Sequence, residues 1–438
     1  MARGEASPYR LQSFWQATMP ALPDGRGRPL PARADVVVIG GGYTGLGAAL
    51  RLARCGAAVT LLEAETLGWG ASTRNGGMAH GGLKWGRATL RRRYGPELGE
   101  RLHLAGIEAF GVFERVLADE ALECDYRRSG QLVLAWSRGH AADLEAEAIE
   151  RVEDGLPAHV VRGPALAEEI GTRAYPAGLV EEMAGGLHPG RYTAGLVDRA
   201  AAAGVDLHEG RPATGIERLA GRLRVRTPDG AIEADEVVLA TNGYTPRLVP
   251  WVSARVIPIG SYIVVTEPLD PAVAAAISPR GRMFFDTKNF LYYWRLTPDG
   301  RLLFGGRASF APTTVERTAA ILEQAMRQVH PQVRDARIEY AWGGNVGFTF
   351  DRLPHLGRRD GVTYALGYCG SGVCMATYFG TLVAAMLGRG SERAAERSPF
   401  EEIRHPGAPL PGIYRGDPWF LPLVGEAFRL QDRVDRRR

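Results

Sequence analysis

Residues 35–63 read DVVVIGGGYTGLGAALRLARCGAAVTLLE, and this stretch constrains the fold more than any other part of the chain. Val36 to Ile39 is an unbroken apolar run, the pattern of a central parallel strand covered on both faces. It leads directly into the turn from Gly40 to Gly45, GGGYTG, which matches GxGxxG. Leu46 to Arg54 then sets Ala48, Ala49 and Leu52 on one helical face, and Gly56 stops the helix. A second strand, Ala58 to Leu62, ends at Glu63. Strand, glycine turn, helix, strand and acid together make a βαβ unit suited to a dinucleotide. Gly40 makes the tight turn, Gly42 lets a pyrophosphate approach the backbone, and Gly45 lets helix and strand lie close. Tyr43 and Thr44 open the helix, whose free N–H groups and positive dipole end face the phosphates. Glu63 stands where a ribose hydroxyl would donate a hydrogen bond.

The fingerprint alone serves NAD and FAD equally. The next segment, Gly68 to Gly77 (GWGASTRNGG), is a second glycine-rich loop. It closely resembles the loop that follows the ribose-binding acid in the D-amino-acid oxidase superfamily of amine- and amino-acid-oxidising flavoproteins. The nearest likeness is to the gamma-glutamylputrescine oxidoreductase-like branch. The resemblance implies FAD, with Ser72 at the pyrophosphate, Arg74 and Asn75 by the flavin ring, and Thr73 and Gly76 among the cofactor-binding residues of the loop. Some relatives attach FAD through a histidine in this loop, where this chain has Asn75. Others use a cysteine near the segment Trp342 to Phe348 (WGGNVGF), which holds none. Non-covalent FAD is the expectation.

Two later motifs extend the same resemblance. Val237 to Tyr244 (VVLATNGY) reads as a buried strand entering a small-residue turn, with Thr241 and Asn242 near the dinucleotide and the backbone near Ala213 at the adenine. Asp351 to Gly357 (DRLPHLG) precedes Val362 to Cys374 (VTYALGYCGSGVC), and a helix pattern follows from Met375 to Leu387. Backbone N–H groups at Gly370, Ser371, Gly372 and Val373 would there stabilise negative charge at the flavin N1/C2=O end. Cys374 takes the place where some sarcosine-oxidising relatives carry a flavin-facing lysine.

The fold class expected is α/β, a Rossmann-type FAD-binding domain assembled from discontinuous segments plus an α+β substrate domain with a mainly antiparallel sheet. A length of 438 residues fits two domains. We divide the chain into an irregular, Pro/Gly-rich lead-in at 1–30, an FAD-binding domain at 31–90, 181–250 and 337–395, a substrate domain at 91–180 and 251–336, and a C-terminal extension at 396–438. Short strands are expected at Tyr262–Glu267, Phe290–Leu296 and Leu302–Gly306. In Lys288 to Arg295 (KNFLYYWR), alternation puts Tyr293 and Arg295 on one face and Tyr292 and Trp294 on the other. The catalytic candidates are Tyr293, Arg295 as a cation for an anionic substrate group, and Lys288 as a charge that favours reduction of O2. On that reading Arg295→Met raises KM for an anionic substrate. His188, followed by Pro189, reads as structural.

Arginine carries nearly all the positive charge, since Lys84 and Lys288 are the two lysines of the chain. Lysine, unlike arginine, is readily tuned by burial, which marks both positions. A net charge of +4 without a long basic block argues against nucleic acid as partner. No apolar run reaches the roughly 18 residues of a transmembrane helix, and the N-terminus lacks a signal-peptide core, so a cytoplasmic location is expected. The four cysteines have no zinc-like spacing, and no metal is expected. The Pro- and aromatic-rich tail from Pro399 to Asp432 resembles the branch's C-terminal extension and suggests a surface contact, with a homodimer one option.

The resemblance implies oxidation of the C–N bond of a small amine or amino acid by hydride transfer to flavin N5. Hydrolysis of the imine and reoxidation by O2 to H2O2 would follow. Alternatives are a dehydrogenase passing electrons to a quinone or carrier, a tRNA-modifying flavoenzyme, and a non-catalytic FAD-binding protein.

Overall fold

The computed structural model describes residues 7–245, 247–307, 310, 313–388, 397–409 and 412–436. Two large sheets organise it. The first has five parallel strands in the spatial order Val362–Leu366, Gly230–Leu239, Arg33–Ile39, Val59–Leu62, Asp206–His208. The glycine fingerprint strand lies at its centre, and Val36, Val37 and Val38 are fully buried, as an apolar run without alternation requires. His355–Arg359 closes one edge antiparallel, and the meander Gly215–Leu219, Arg222–Thr227 hangs from Gly230–Leu239. The second sheet has eight strands and is antiparallel except where Met283–Asp286 runs parallel to Gln131–Leu134.

Helices Tyr43–Arg54 and Gly372–Met386 pack on the parallel sheet and cross at Gly47 and Gly380. A Cβ on Gly380 would meet the backbone of Thr44 and Gly47 at 3.2 Å, so that glycine sets how close the two helices lie.

The division of the chain differs from the expected one at two places. Ile338–Phe348, assigned to the FAD-binding segment 337–395, is the edge strand of the antiparallel sheet and pairs with Ile257–Pro268. Helix Pro96–Asp119, assigned to the substrate segment 91–180, buries Leu102, Phe110 and Phe113 in the core beneath the parallel sheet. In both cases periodicity identifies the element, but the choice of partner rests on tertiary contacts that local pattern does not carry. Residues 389–396, the end of the third FAD segment and the start of the extension, lie outside the described residues, as do 437 and 438.

The lead-in is more ordered than its composition implies. Helix Phe14–Thr18 packs Trp15, fully buried, with Ile263, Val265, Leu303 and Trp342 of the antiparallel sheet. The C-terminal helix Leu421–Asp435 docks on the chain's own antiparallel sheet. Asp432 accepts the N–H groups of Asn289 (2.9 Å) and Phe290 (3.0 Å), and its carbonyl accepts the Trp136 indole N–H (3.0 Å). Its outer face leaves Leu423, Leu430 and Val434 exposed.

Candidate active site

A cavity of about 520 Å³ runs between the sheets, a size that suits a small molecule or cofactor. One end is built by the fingerprint. Gly40 has φ +108°, and a Cβ there would lie 2.8 Å from the Ala240 carbonyl oxygen, so glycine is needed twice over. A Cβ on Gly42 would come within 2.9 Å of Ser72 Oγ, the hydroxyl that accepts the Tyr43 N–H at 3.0 Å. Glu63 accepts Gly41 N–H (2.7 Å) and Glu65 N–H (3.0 Å) through different oxygens, which leaves lone pairs on each for a ribose. Burial raises the Glu63 pKa, and these backbone donors oppose the rise.

Gly40, Gly42, Tyr43, Thr44, Glu63 and Ser72 line this end, with Ala213, Thr241 and Asn242 beside them. Arg74, Asn75 and Gly76 line the middle, opposite Gly370, Gly372 and Val373 at the start of helix Gly372–Met386. Gly45, Thr73 and Ser371 do not line the cavity. Gly45 sits against Gly40, Thr73 Oγ1 donates to Gly68 O (2.7 Å), and Ser371 precedes the helix. Arg74 and Asn75 spend their side chains on the protein. Arg74 donates to Trp69 O (2.8 Å) and Gly343 O (3.0 Å), while the Asn75 amide group bonds Ser72 O (2.9 Å).

The far end is walled by Met78, His80, Phe285 and Tyr293. Tyr293 comes from strand Tyr292–Leu296 and lies against Gly76 and Gly305, where a Cβ would come within 2.9 Å and 2.3 Å of its ring. Its hydroxyl meets Ser261 Oγ at 3.1 Å, and burial pushes its pKa up to about 12. The alternation read from the sequence holds here, since Tyr292 and Trp294 pack in the apolar core behind the sheet.

Two of the three catalytic candidates are not in the cavity wall. Arg295 shares the face of Tyr293, but its Nη1 donates to Gly77 O and to Leu187 O (2.9 Å). Lys288 precedes the strand, pairs with Asp286 (3.1 Å) and lies 3.5 Å from the Tyr292 ring centroid. The alternation places Arg295 on the right face but cannot say that carbonyls of a distant loop already engage it. Arg295→Met should therefore cost about 1–3 kcal/mol of stability, read by chemical denaturation, through the carbonyls left unpaired. KM should stay near the wild-type value.

Besides Arg74, whose side chain is engaged by protein carbonyls, the cations that line the cavity are Lys84 and Arg307. Lys84 stands beside Gly370, where a Cβ would be 3.7 Å from its Nζ. Its side chain is accessible, and the space it faces is the cavity. Enclosure by the walls, and then the positive charges of Arg307 and Arg352, bring its pKa down to about 8. Burial likewise lowers Arg307 to about 10. The acids of the lining, Glu63 and Glu65, belong to the ribose end. His80 Nδ1–H donates to Gly81 O (3.2 Å), which leaves Nε2 as a proton acceptor, and burial with nearby Lys84 lowers its pKa. Cys369 lines the cavity, whereas Cys374 is fully buried in the helix behind it. The scarcity of lysine is the one sequence signal that singles out Lys84, and nothing local marks His80 or Arg307. His188 caps helix Pro189–Ala202, its Nδ1 accepting Arg191 N–H at 3.1 Å, in keeping with a structural role.

The family model described as "FAD dependent oxidoreductase" (DAO) matches residues 35–386. The chain belongs to the DAO family of FAD-dependent oxidoreductases. "Probable oxidoreductase OrdL" of Rhizobium meliloti is 34% identical over 426 residues, covering 95% of this chain and 97% of its own. "Gamma-glutamylputrescine oxidoreductase" of Escherichia coli is 30% identical over 403 residues, covering 91% of this chain and 93% of its own. The glycine oxidase structure from Geobacillus kaustophilus superposes with a TM-score of 0.73 at 22% identity, over 86% of this chain and all of that one, and shares the fold. The cradle fits the cofactor this family uses. Its glycines leave room where side chains would collide, and Glu63 and the helix N-terminus supply the complementary polar groups. No helix among the described residues is long and apolar enough to cross a membrane.

Proposed function

We propose that this DAO-family chain oxidises the C–N bond of a small amine or amino acid. The observation that carries the reading is the far end of the cavity. There an aromatic and thioether wall surrounds two cations and a histidine whose pKa burial lowers, and the two carboxylates of the lining, Glu63 and Glu65, lie away at the ribose end. FAD, when bound, supplies the two-electron acceptor. The residues do the rest of the work. Met78, Phe285 and Tyr293 exclude water from the reacting carbon, and Lys84 and Arg307 orient an anionic substituent. His80 Nε2 takes the proton of the substrate ammonium, so that the amine reacts as the neutral base. The name of the OrdL relative supports an oxidoreductase, and that of the gamma-glutamylputrescine oxidoreductase supports one acting on an amine. We read O2 as the electron acceptor and the imine product as hydrolysed in water.

The test is anaerobic bleaching of the flavin band near about 450 nm. The panel comprises gamma-glutamylputrescine, sarcosine, glycine, D-amino acids and polyamines. Bleaching by one class is the expected result; flavin that none of them reduces would sink amine oxidation. Peroxide formed in air supports the oxidase, whereas turnover with an artificial carrier alone supports a dehydrogenase. We also expect non-covalent attachment, because Asn75 and the Trp342–Phe348 segment offer no histidine or cysteine. Acid-precipitated protein should leave its yellow colour in the supernatant.

A further inference from the structure

The loop that carries Arg74, Asn75 and Gly76 is held by its carbonyls from outside. Ser13 Oγ–H donates to Thr73 O (2.6 Å), Trp342 Nε1–H to Arg74 O (3.0 Å), and Trp15 Nε1–H to Asn75 O (2.8 Å). Gln16 Nε2 adds a bond to Thr73 Oγ1 at 2.8 Å. Three of these four donors belong to the lead-in segment 13–16, and the fourth to the edge strand Ile338–Phe348.

A trans peptide unit is planar, with its C=O and N–H pointing in opposite directions. An anchor on the carbonyl of one residue therefore aims the N–H of the next. Trp342 holds the Arg74–Asn75 peptide and so directs Asn75 N–H, while Trp15 holds the Asn75–Gly76 peptide and directs Gly76 N–H. The neighbouring amides are already used, Arg74 N–H on Ala71 O (3.3 Å) and Gly77 N–H on Asn75 Oδ1 (2.7 Å). Asn75 and Gly76 N–H have no acceptor among the described residues, and both residues line the cavity.

We propose that Trp15 and Trp342 are positioning residues that fix the Asn75 and Gly76 amides as hydrogen-bond donors to the flavin ring, with Ser13 steadying the start of the loop. Fixed donors aimed at a ring that gains electron density favour its reduced form, at no cost of reorganisation during the reaction. The inference rests on the family's cofactor and is independent of which substrate is oxidised.

The experiment uses Trp15→Phe and Trp342→Phe holoenzymes, which keep most of each ring and lose its N–H. The control is Phe14→Leu, since Phe14 packs edge-on against Trp15 and Tyr340 but donates nothing to the loop. The midpoint potential of the bound flavin and the dissociation constants for oxidised and reduced FAD are measured for each. Each tryptophan variant should lose reduced FAD about tenfold more than oxidised FAD, a shift of about 30 mV to more negative potential for a two-electron couple. Phe14→Leu should stay at the wild-type potential. A wild-type potential in either tryptophan variant, or an equal shift in Phe14→Leu, would overturn the proposal. The two variants anchor different peptides and are read separately, so poor folding of one leaves the other decisive.

Discussion

Gly45→Ala should yield a protein that purifies with little or no flavin colour. The added Cβ would lie 1.9 Å from Gly40 O, 3.1 Å from Gly40 C and 3.3 Å from Val38 Cγ1, and the first distance is far inside contact. Backbone is the obstacle, so no rotamer relieves it. Either helix Tyr43–Arg54 backs away from the central strand or the turn at Gly40 opens, and both displace the amides that face the pyrophosphate. Overpacking of about 1–3 kcal/mol, concentrated on the binding turn, weakens FAD by about tenfold to a hundredfold or more. The check is the ratio of flavin to protein absorbance in the purified variant, followed by titration of the apoprotein with FAD. Gly47→Ala is the matched control, because a Cβ there meets only Gly380 Cα at 3.8 Å, an ordinary contact. It should remain yellow. Full colour in Gly45→Ala would show that close helix–strand packing is dispensable for the cofactor.

The second large effect is expected at Lys84. If the substrate carries an anionic group, Lys84→Met should raise its KM about a hundredfold, the range for loss of a charged partner in a water-poor site. Lys84→Arg should recover most of the loss, and Arg307→Met should resemble Lys84→Met. The pH dependence gives an independent check through a carboxylate ligand that has no amine. On this reading Lys84 would bind the anion in its protonated form, and its pKa is brought down to about 8. Affinity is therefore full below that value and falls as pH rises past it, while Arg307, near about 10, stays charged. Lys84→Met should remove the fall between pH 8 and 10. A pH-independent affinity in the unmodified protein would remove Lys84 from the anion's surroundings.

The contrast between the two lysines explains how far the sequence can be read. The fingerprint is legible because each of its demands is local: Gly40 needs a positive φ, Gly45 needs a missing Cβ, and Glu63 ends the adjacent strand. The face of Tyr293 is legible because strand alternation is local too. Lys84 and Lys288 look alike as isolated lysines in glycine- and aromatic-rich surroundings. What separates them is Asp286, which reaches Lys288 by a turn of the chain, and Gly370, which meets Lys84 across 286 positions of sequence (370 minus 84). Arg295 was read onto its proper face, yet its partners Gly77 and Leu187 come from other segments. The lead-in misled for a related reason. Its prolines and glycines predict irregular chain, while the donors of Ser13, Trp15 and Gln16 matter only once the loop they hold is in place.

The strand order of the parallel sheet also bears on how the protein is made. Arg33–Ile39 is flanked by Val59–Leu62 and by Gly230–Leu239, and the latter pairs in turn with Val362–Leu366. Neighbours in space thus leave the ribosome far apart in time, and loop closure over such separations slows folding. The turn Gly40–Gly45 emerges before helix Gly372–Met386, which packs across the helix that follows the turn, at Gly47 and Gly380. A nascent chain stalled before residue 372 has its fingerprint but lacks the opposite wall of the cavity. Flavin capture should therefore wait until the segment Gly370–Val373 has closed the cavity.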